Sequence, residues 1–138
     1  MMNFPSSTLL LIGAMASFGV TLLHILLVFR PQLYRYFGAD ELADMVEDGS
    51  SFTVLVTLGL VVMFAVWGIY GLSGAGVLDP LPLLDTVLII IGGIYILRGV
   101  MLLNDMVKLA QGTRPIRFAL LSIGALSAGL LHLFGTLA

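Results

Sequence analysis

Apolar positions fill four long stretches of this chain, and charged positions collect mainly in two of the three gaps between them. Residues 8–29, 52–72, 81–103 and 117–137 each run with at most two charged side chains. A hydrocarbon core of about 30 Å needs about 20 apolar residues in a helix, so each stretch is long enough to span one. None alternates polar and apolar positions as a membrane strand does. The punctuation agrees with helices. "RPQ" follows the first stretch, "DGSS" offers Ser50 or Ser51 as a cap for the second, and "LSGAGVLDPLP" separates the second from the third. In "QGTRP", Gly112 suits a position just past a helix end, and Pro115 suits the opening of the fourth helix.

The gap after the first stretch has a pattern of its own. In "ADELADMVEDGS", Leu42, Met45 and Val46 have the spacing of one buried helical stripe, with Glu41, Asp44, Glu47 and Asp48 largely elsewhere. Asp40 is placed to cap such a helix and Gly49 to end it. The pattern predicts a short acidic amphipathic surface helix over residues 40–48, balanced by Lys108, Arg114 and Arg117 of the third gap or serving as a dock for a basic partner. The expected fold is an all-α integral membrane protein, a four-helix transmembrane bundle in one domain over residues 1–138.

Composition strengthens this picture. Of the 138 residues, 59% are hydrophobic and 10% charged, against about 25% charged in a typical soluble domain. A mean hydropathy of +1.12 leaves too little polar surface to cover a water-soluble exterior. The net charge of −2, with no long basic stretch, points away from nucleic acid. The chain has no cysteine, which removes disulfides, thiolate metal sites and thiol chemistry together. The opening "MMNFPSSTLLLIGAMASFGV" lacks a basic leader and reads as a retained span rather than a cleaved signal.

Cation placement orients the spans. Arg30 and Arg35 lie in the first gap, Lys108, Arg114 and Arg117 in or beside the third, and Arg98 nearest that same end. All six Lys and Arg residues thus fall on one side of a four-span chain. The positive-inside rule then puts both termini outside and the first and third loops in the cytoplasm, in a plasma membrane of the bacterial inner type. Trp67 and Tyr70, toward the outer end of the second span, fit an interfacial aromatic belt.

Small residues mark where helix backbones approach in lipid. The first span carries Gly13 and Ser17, the third Gly92, Gly93 and Gly99, and the fourth the overlapping pairs Gly124/Ala128 and Ala125/Gly129. His132 shares the small face of the fourth span and His24 that of the first, so both imidazoles are expected to face protein. They sit toward opposite ends of their spans, which sets them against joint ligation of one haem iron within a single bundle. No His/Asp/Glu spacing suits a metal, and Asp79 and Asp85 read as solvated or capping residues at the outer surface. No cofactor and no catalytic motif is expected.

Arg98, in "IYILRGVMLLND", is the anomaly. It lies about six residues, or about 9 Å, inside the cytoplasmic end of its span, close enough to snorkel. His24, Thr57 and Ser122 fall at similar depths in the other three spans, with Glu47 and Asp48 as nearby counter-ions. This polar layer reads either as a hydrogen-bonded plug or as a site for an anion, such as an anionic lipid headgroup. The main expectation is a non-enzymatic membrane subunit, scaffold or regulator, packing through its small faces with itself or with another membrane protein. The alternative is a small oligomeric transporter, channel or lipid-binding protein built on the layer around Arg98 and His24.

Overall fold

A computed structural model describes residues 4–138 of the protein. Those residues form helices and turns, with no strand among them. The order is α1 (Phe4–Phe29), α2 (Leu33–Tyr36), α3 (Asp40–Glu47), α4 (Phe52–Gly74), α5 (Leu84–Gly99), α6 (Leu102–Ala110) and α7 (Ile116–Leu137). Four stretches are long and apolar enough to cross a membrane: Pro5–Phe29, Phe52–Gly74, Leu84–Ala110 and Ile116–Leu137. Large apolar side chains are exposed along all four, Leu22, Leu55, Leu97 and Leu120 among them.

Helix ends follow local chemistry. Pro31 lacks the N–H that would continue α1. Four helices stop by one device, at Gly38, Gly49, Gly76 and Gly112, whose φ values of 72 to 83° favour glycine. After α3, Gly49 N–H donates to the Val46 carbonyl (3.0 Å) and Ser50 N–H to the Met45 carbonyl (2.9 Å). These paired bonds satisfy carbonyls that the helix end would otherwise leave open. At the other end of α3 the cap position is Ala39, and no side chain caps the helix. Asp40, expected as the cap, instead joins Glu41 in the first turn, where a negative charge meets the positive end of the helix dipole.

The third stretch runs on past the expected end at 103 because Asn104 and Asp105, although polar, continue the helix. It is also bent. Between α5 and α6 the Met101 N–H donates to the Arg98 carbonyl (3.3 Å) and the Leu103 N–H to that of Val100 (3.2 Å). These tighter bonds locally replace the α pattern.

The chain divides into two compact units. The first comprises residues up to 16 together with 67–138. Its buried side chains include Leu10, Ala14, Leu88, Ile91, Tyr95 and His132. α5 and α7 meet backbone to backbone. A Cβ at Gly129 would lie 2.8 Å from the Gly92 oxygen and 2.9 Å from the Ile96 nitrogen, and one at Gly99 would lie 2.7 Å from Leu126 Cα. Such approach is open only to glycine, and it supplies the close packing that holds helices together in lipid. Gly71 against Ala14, and Gly135 against Leu10, repeat the device. Trp67, expected at an interfacial belt, is instead buried, with its ring edge-on to Tyr95 at 5.2 Å. Tyr70 donates its hydroxyl to the Pro82 carbonyl (3.1 Å), and Ser73 ties the same loop through Asp79 and Leu81.

The second unit, residues 17–66, folds the first loop onto helix ends. Leu27, Tyr34 and Ala43 form its core, with Leu33, Phe37, Leu42 and Val46 packed around them. The buried stripe of α3 is therefore Leu42, Ala43 and Val46. Met45, expected in that stripe, is exposed, because it lies about 200° around the helix from Ala43, which faces the core beside Leu42 and Val46.

Candidate functional site

Arg98 lies in the last turn of α5, and Gly99 after it lets α5 press onto α7 at Leu126, one turn from Ser122. Seven residues beyond Arg98, two helical turns on and nearly the same face, comes Asp105 of α6. Two arginines then converge on Ser122 and this carboxylate. Arg98 Nη1 donates to Ser122 Oγ at 2.9 Å. Ser122 donates its own proton to Asp105 Oδ2 at 2.5 Å. Arg114, from the turn before α7, donates through Nη1 to Asp105 Oδ1 at 2.6 Å, forming an ion pair. Each carboxylate oxygen thus receives one strong donor.

Burial gives the arrangement its weight. The Asp105 side chain is 2% exposed and that of Arg114 is 29% exposed. An ionised carboxylate removed from water is costly unless paired and hydrogen-bonded, and Asp105 has both kinds of partner. The Arg114 and Arg117 guanidinium carbons lie 4.9 and 5.1 Å from the centre of the Phe118 ring, within reach of its negative face.

The expected polar layer divides between the two units. Arg98 and Ser122 are brought together in the first. His24, Thr57, Glu47 and Asp48 belong to the second, where each is engaged locally. His24 Nδ1 lies 2.8 Å from the Val20 carbonyl and its ring 5.0 Å from that of Phe64. Thr57 donates to the Thr53 carbonyl (2.8 Å), so the Tyr34 hydroxyl is the donor in its bond to Thr57. Thr53 donates in turn to the Leu42 carbonyl (2.9 Å), fastening α3 to α4. Glu47 pairs with Arg35 (3.0 Å), which also takes Asp44. Hydrogen bonds to Asp44 and then Glu47 raise the Arg35 pKa above its ordinary value. Asp48 sits at the end of α3 with its N–H on the Asp44 carbonyl (2.9 Å). The acidic helix therefore finds its cation in its own loop, and Arg114 finds its anion in Asp105.

The small-residue positions also separate by environment. Gly92, Gly99 and Gly129 lie in the α5–α7 contact. Ser17 and Ala128 are buried and Ala125 is half-buried. A Cβ at Gly13 would lie 2.9 Å from the imidazole of His132. His132 is fully buried, and its Nδ1 carries the proton that it gives to the Ala128 carbonyl at 2.7 Å. Its ring stands 5.5 Å from that of Tyr95, and Nε2 has no hydrogen-bond partner. At Gly93 and Gly124, by contrast, an added Cβ would meet nothing within 4 Å.

Asp105 is the residue that sequence reasoning missed. Its signal is the two-turn spacing from Arg98, hidden because hydropathy ends the span at residue 103 and leaves Asp105 looking like loop. Among the described residues no group of three or more His, Cys, Asp or Glu side chains could hold a metal. The chain matches no protein-family model, no curated protein and no solved structure.

Proposed function

We propose that the chain is a four-span integral membrane protein that works as a non-enzymatic subunit or scaffold, joining itself or a partner membrane protein through small-residue helix faces. Both termini lie outside and the first and third loops lie in the cytoplasm of a bacterial-type inner membrane. The one-sided placement of all six Lys and Arg residues supports the orientation. The stretch Leu84–Ala110 has 27 residues and would be about 40 Å long if straight, more than the hydrocarbon core of about 30 Å. In this reading its last part, α6, lies at the cytoplasmic boundary and carries Asp105 and Lys108 there.

The observation that carries the assembly role is the contrast among glycines. A glycine inside a helix costs roughly 1 kcal/mol relative to alanine. At Gly99 and Gly129 the internal contact offsets that cost. At Gly93 and Gly124, inside α5 and α7, nothing among the described residues does, and a helix of another chain approaching there would.

Gly124→Leu and Gly93→Leu test this directly, because the space beside both positions is open and the chain's own fold should tolerate them. Blue-native electrophoresis of membranes solubilised in mild detergent should show the wild-type assembly lost in these variants at unchanged melting temperature. An assembly that survives both substitutions would rule out these faces as the interface.

A further inference from the structure

Arg98 is left half-used by the protein itself. Its guanidinium has five N–H donors, and among the described residues it makes one hydrogen bond, to Ser122. The residue is exposed although it lies within an apolar stretch long enough to span a membrane. The carboxylate next in the network does not complete it, because Asp105 gives one oxygen to Ser122 and the other to Arg114. Two arginines thus share one buried anion. The excess continues outward, since residues 98–138 contain Arg98, Lys108, Arg114 and Arg117 against the single acid Asp105.

We infer that Arg98 binds a phosphate group, and that the phosphate is the headgroup of an anionic phospholipid. The inference rests on the membrane reading above. Phosphate fits the donors. A planar guanidinium held at one edge by Ser122 presents its remaining N–H groups as a fork that matches two phosphate oxygens. The surroundings fit a lipid better than a free anion. Leu97 is 73% exposed, and Val100 and Met101 beside it are also exposed, so acyl chain has apolar surface to lie against where the headgroup is held. Basic sites at the cytoplasmic ends of spans favour anionic lipids on electrostatic grounds. Asp105 acts as a positioning residue, holding Ser122 and Arg114 so that the Arg98 fork stays turned outward.

The test uses the full-length protein, delipidated in non-ionic detergent and titrated separately with phosphatidylglycerol, phosphatidylcholine and inorganic phosphate, with bound mass read by native mass spectrometry. Wild type should retain one phosphatidylglycerol in preference to phosphatidylcholine. Arg98→Gln should weaken that retention about tenfold or more. Arg98→Lys keeps the charge, so it guards against a variant that fails to fold, and should fall between the two. Equal phosphatidylglycerol retention in all three proteins would overturn the proposal. Arg98-dependent binding of inorganic phosphate without phosphatidylglycerol would overturn the lipid source and leave the phosphate chemistry. Resistance of each variant to alkaline carbonate extraction from membranes is scored in parallel. A protein that stays membrane-embedded but shows no Arg98-dependent lipid fails this inference alone, whereas one that is extracted fails the membrane reading.

Discussion

The two compact units treat charge in opposite ways. In the unit holding α5, α6 and α7, a carboxylate is buried and locked between Ser122 and Arg114. In the unit holding α2 and α3, the carboxylates of Asp44 and Glu47 stay exposed around Arg35, and the buried polar groups are hydroxyls, those of Ser17, Thr21, Tyr34, Thr53 and Thr57. The difference follows from where each anion sits. Asp44 and Glu47 lie on the exposed side of α3, where water solvates them and Arg35 at little cost. Asp105 lies buried in the long apolar stretch Leu84–Ala110, so its carboxylate must be satisfied by the protein. Ion pairs with similar distances therefore carry different energies, because desolvation decides what breaking one costs.

The sharpest contrast comes from removing one cation in each unit. Arg114→Ala strands the buried Asp105 and should destabilise the protein by about 3–5 kcal/mol, read from thermal or denaturant unfolding in detergent micelles. Arg35→Ala should leave the same unfolding curve unchanged within error. If the two variants behave alike, burial is not what separates the units. The double variant Asp105→Asn/Arg114→Gln sharpens the point, because removing both charges should recover part of the loss seen on removing one.

Next in size is the α5–α7 contact. Gly129→Val places side-chain atoms where the Gly92 oxygen and the Ile96 nitrogen already sit, at a cost of about 1–3 kcal/mol. Gly93→Ala meets open space and should be neutral or slightly stabilising in the same unfolding measurement. The smallest effect belongs to the neutral cluster of the loop unit. Tyr34→Phe removes one hydroxyl donor while Thr57 keeps its bond to Thr53, and should cost about 0.5–1.5 kcal/mol.

These contrasts also mark what the sequence makes legible. The four long helices are readable because about 20 consecutive apolar residues have few other uses. The end of α3 is readable because Gly49 and its flanking residues specify one capping geometry. Which small residues meet inside the chain is not readable. Gly92 and Gly93 are adjacent in sequence, yet one presses on α7 and the other meets open space, a difference set by helix rotation. The polar layer is half readable for a related reason. Depth along a helix places Arg98, Ser122, His24 and Thr57 at one level, but depth carries no information about direction around the axis. Arg98 met Ser122, and Thr57 met Tyr34 from a loop whose path hydropathy does not specify. Asp105 was hidden by the polarity of Asn104 and Asp105, which ends an apolar window while the helix itself continues.

The proposed assembly and lipid-binding roles depend on the chain crossing a membrane four times with its cations on one side. The absence of native cysteine allows a clean measurement. Val77→Cys in the loop between α4 and α5, and Thr113→Cys between α6 and α7, both replace exposed residues. With a membrane-impermeant maleimide applied to intact cells, the position at 77 should label at once and the position at 113 only after permeabilisation. Labelling of 113 but not 77 would invert the orientation, and equal labelling of both in intact cells would contradict the four-span arrangement itself.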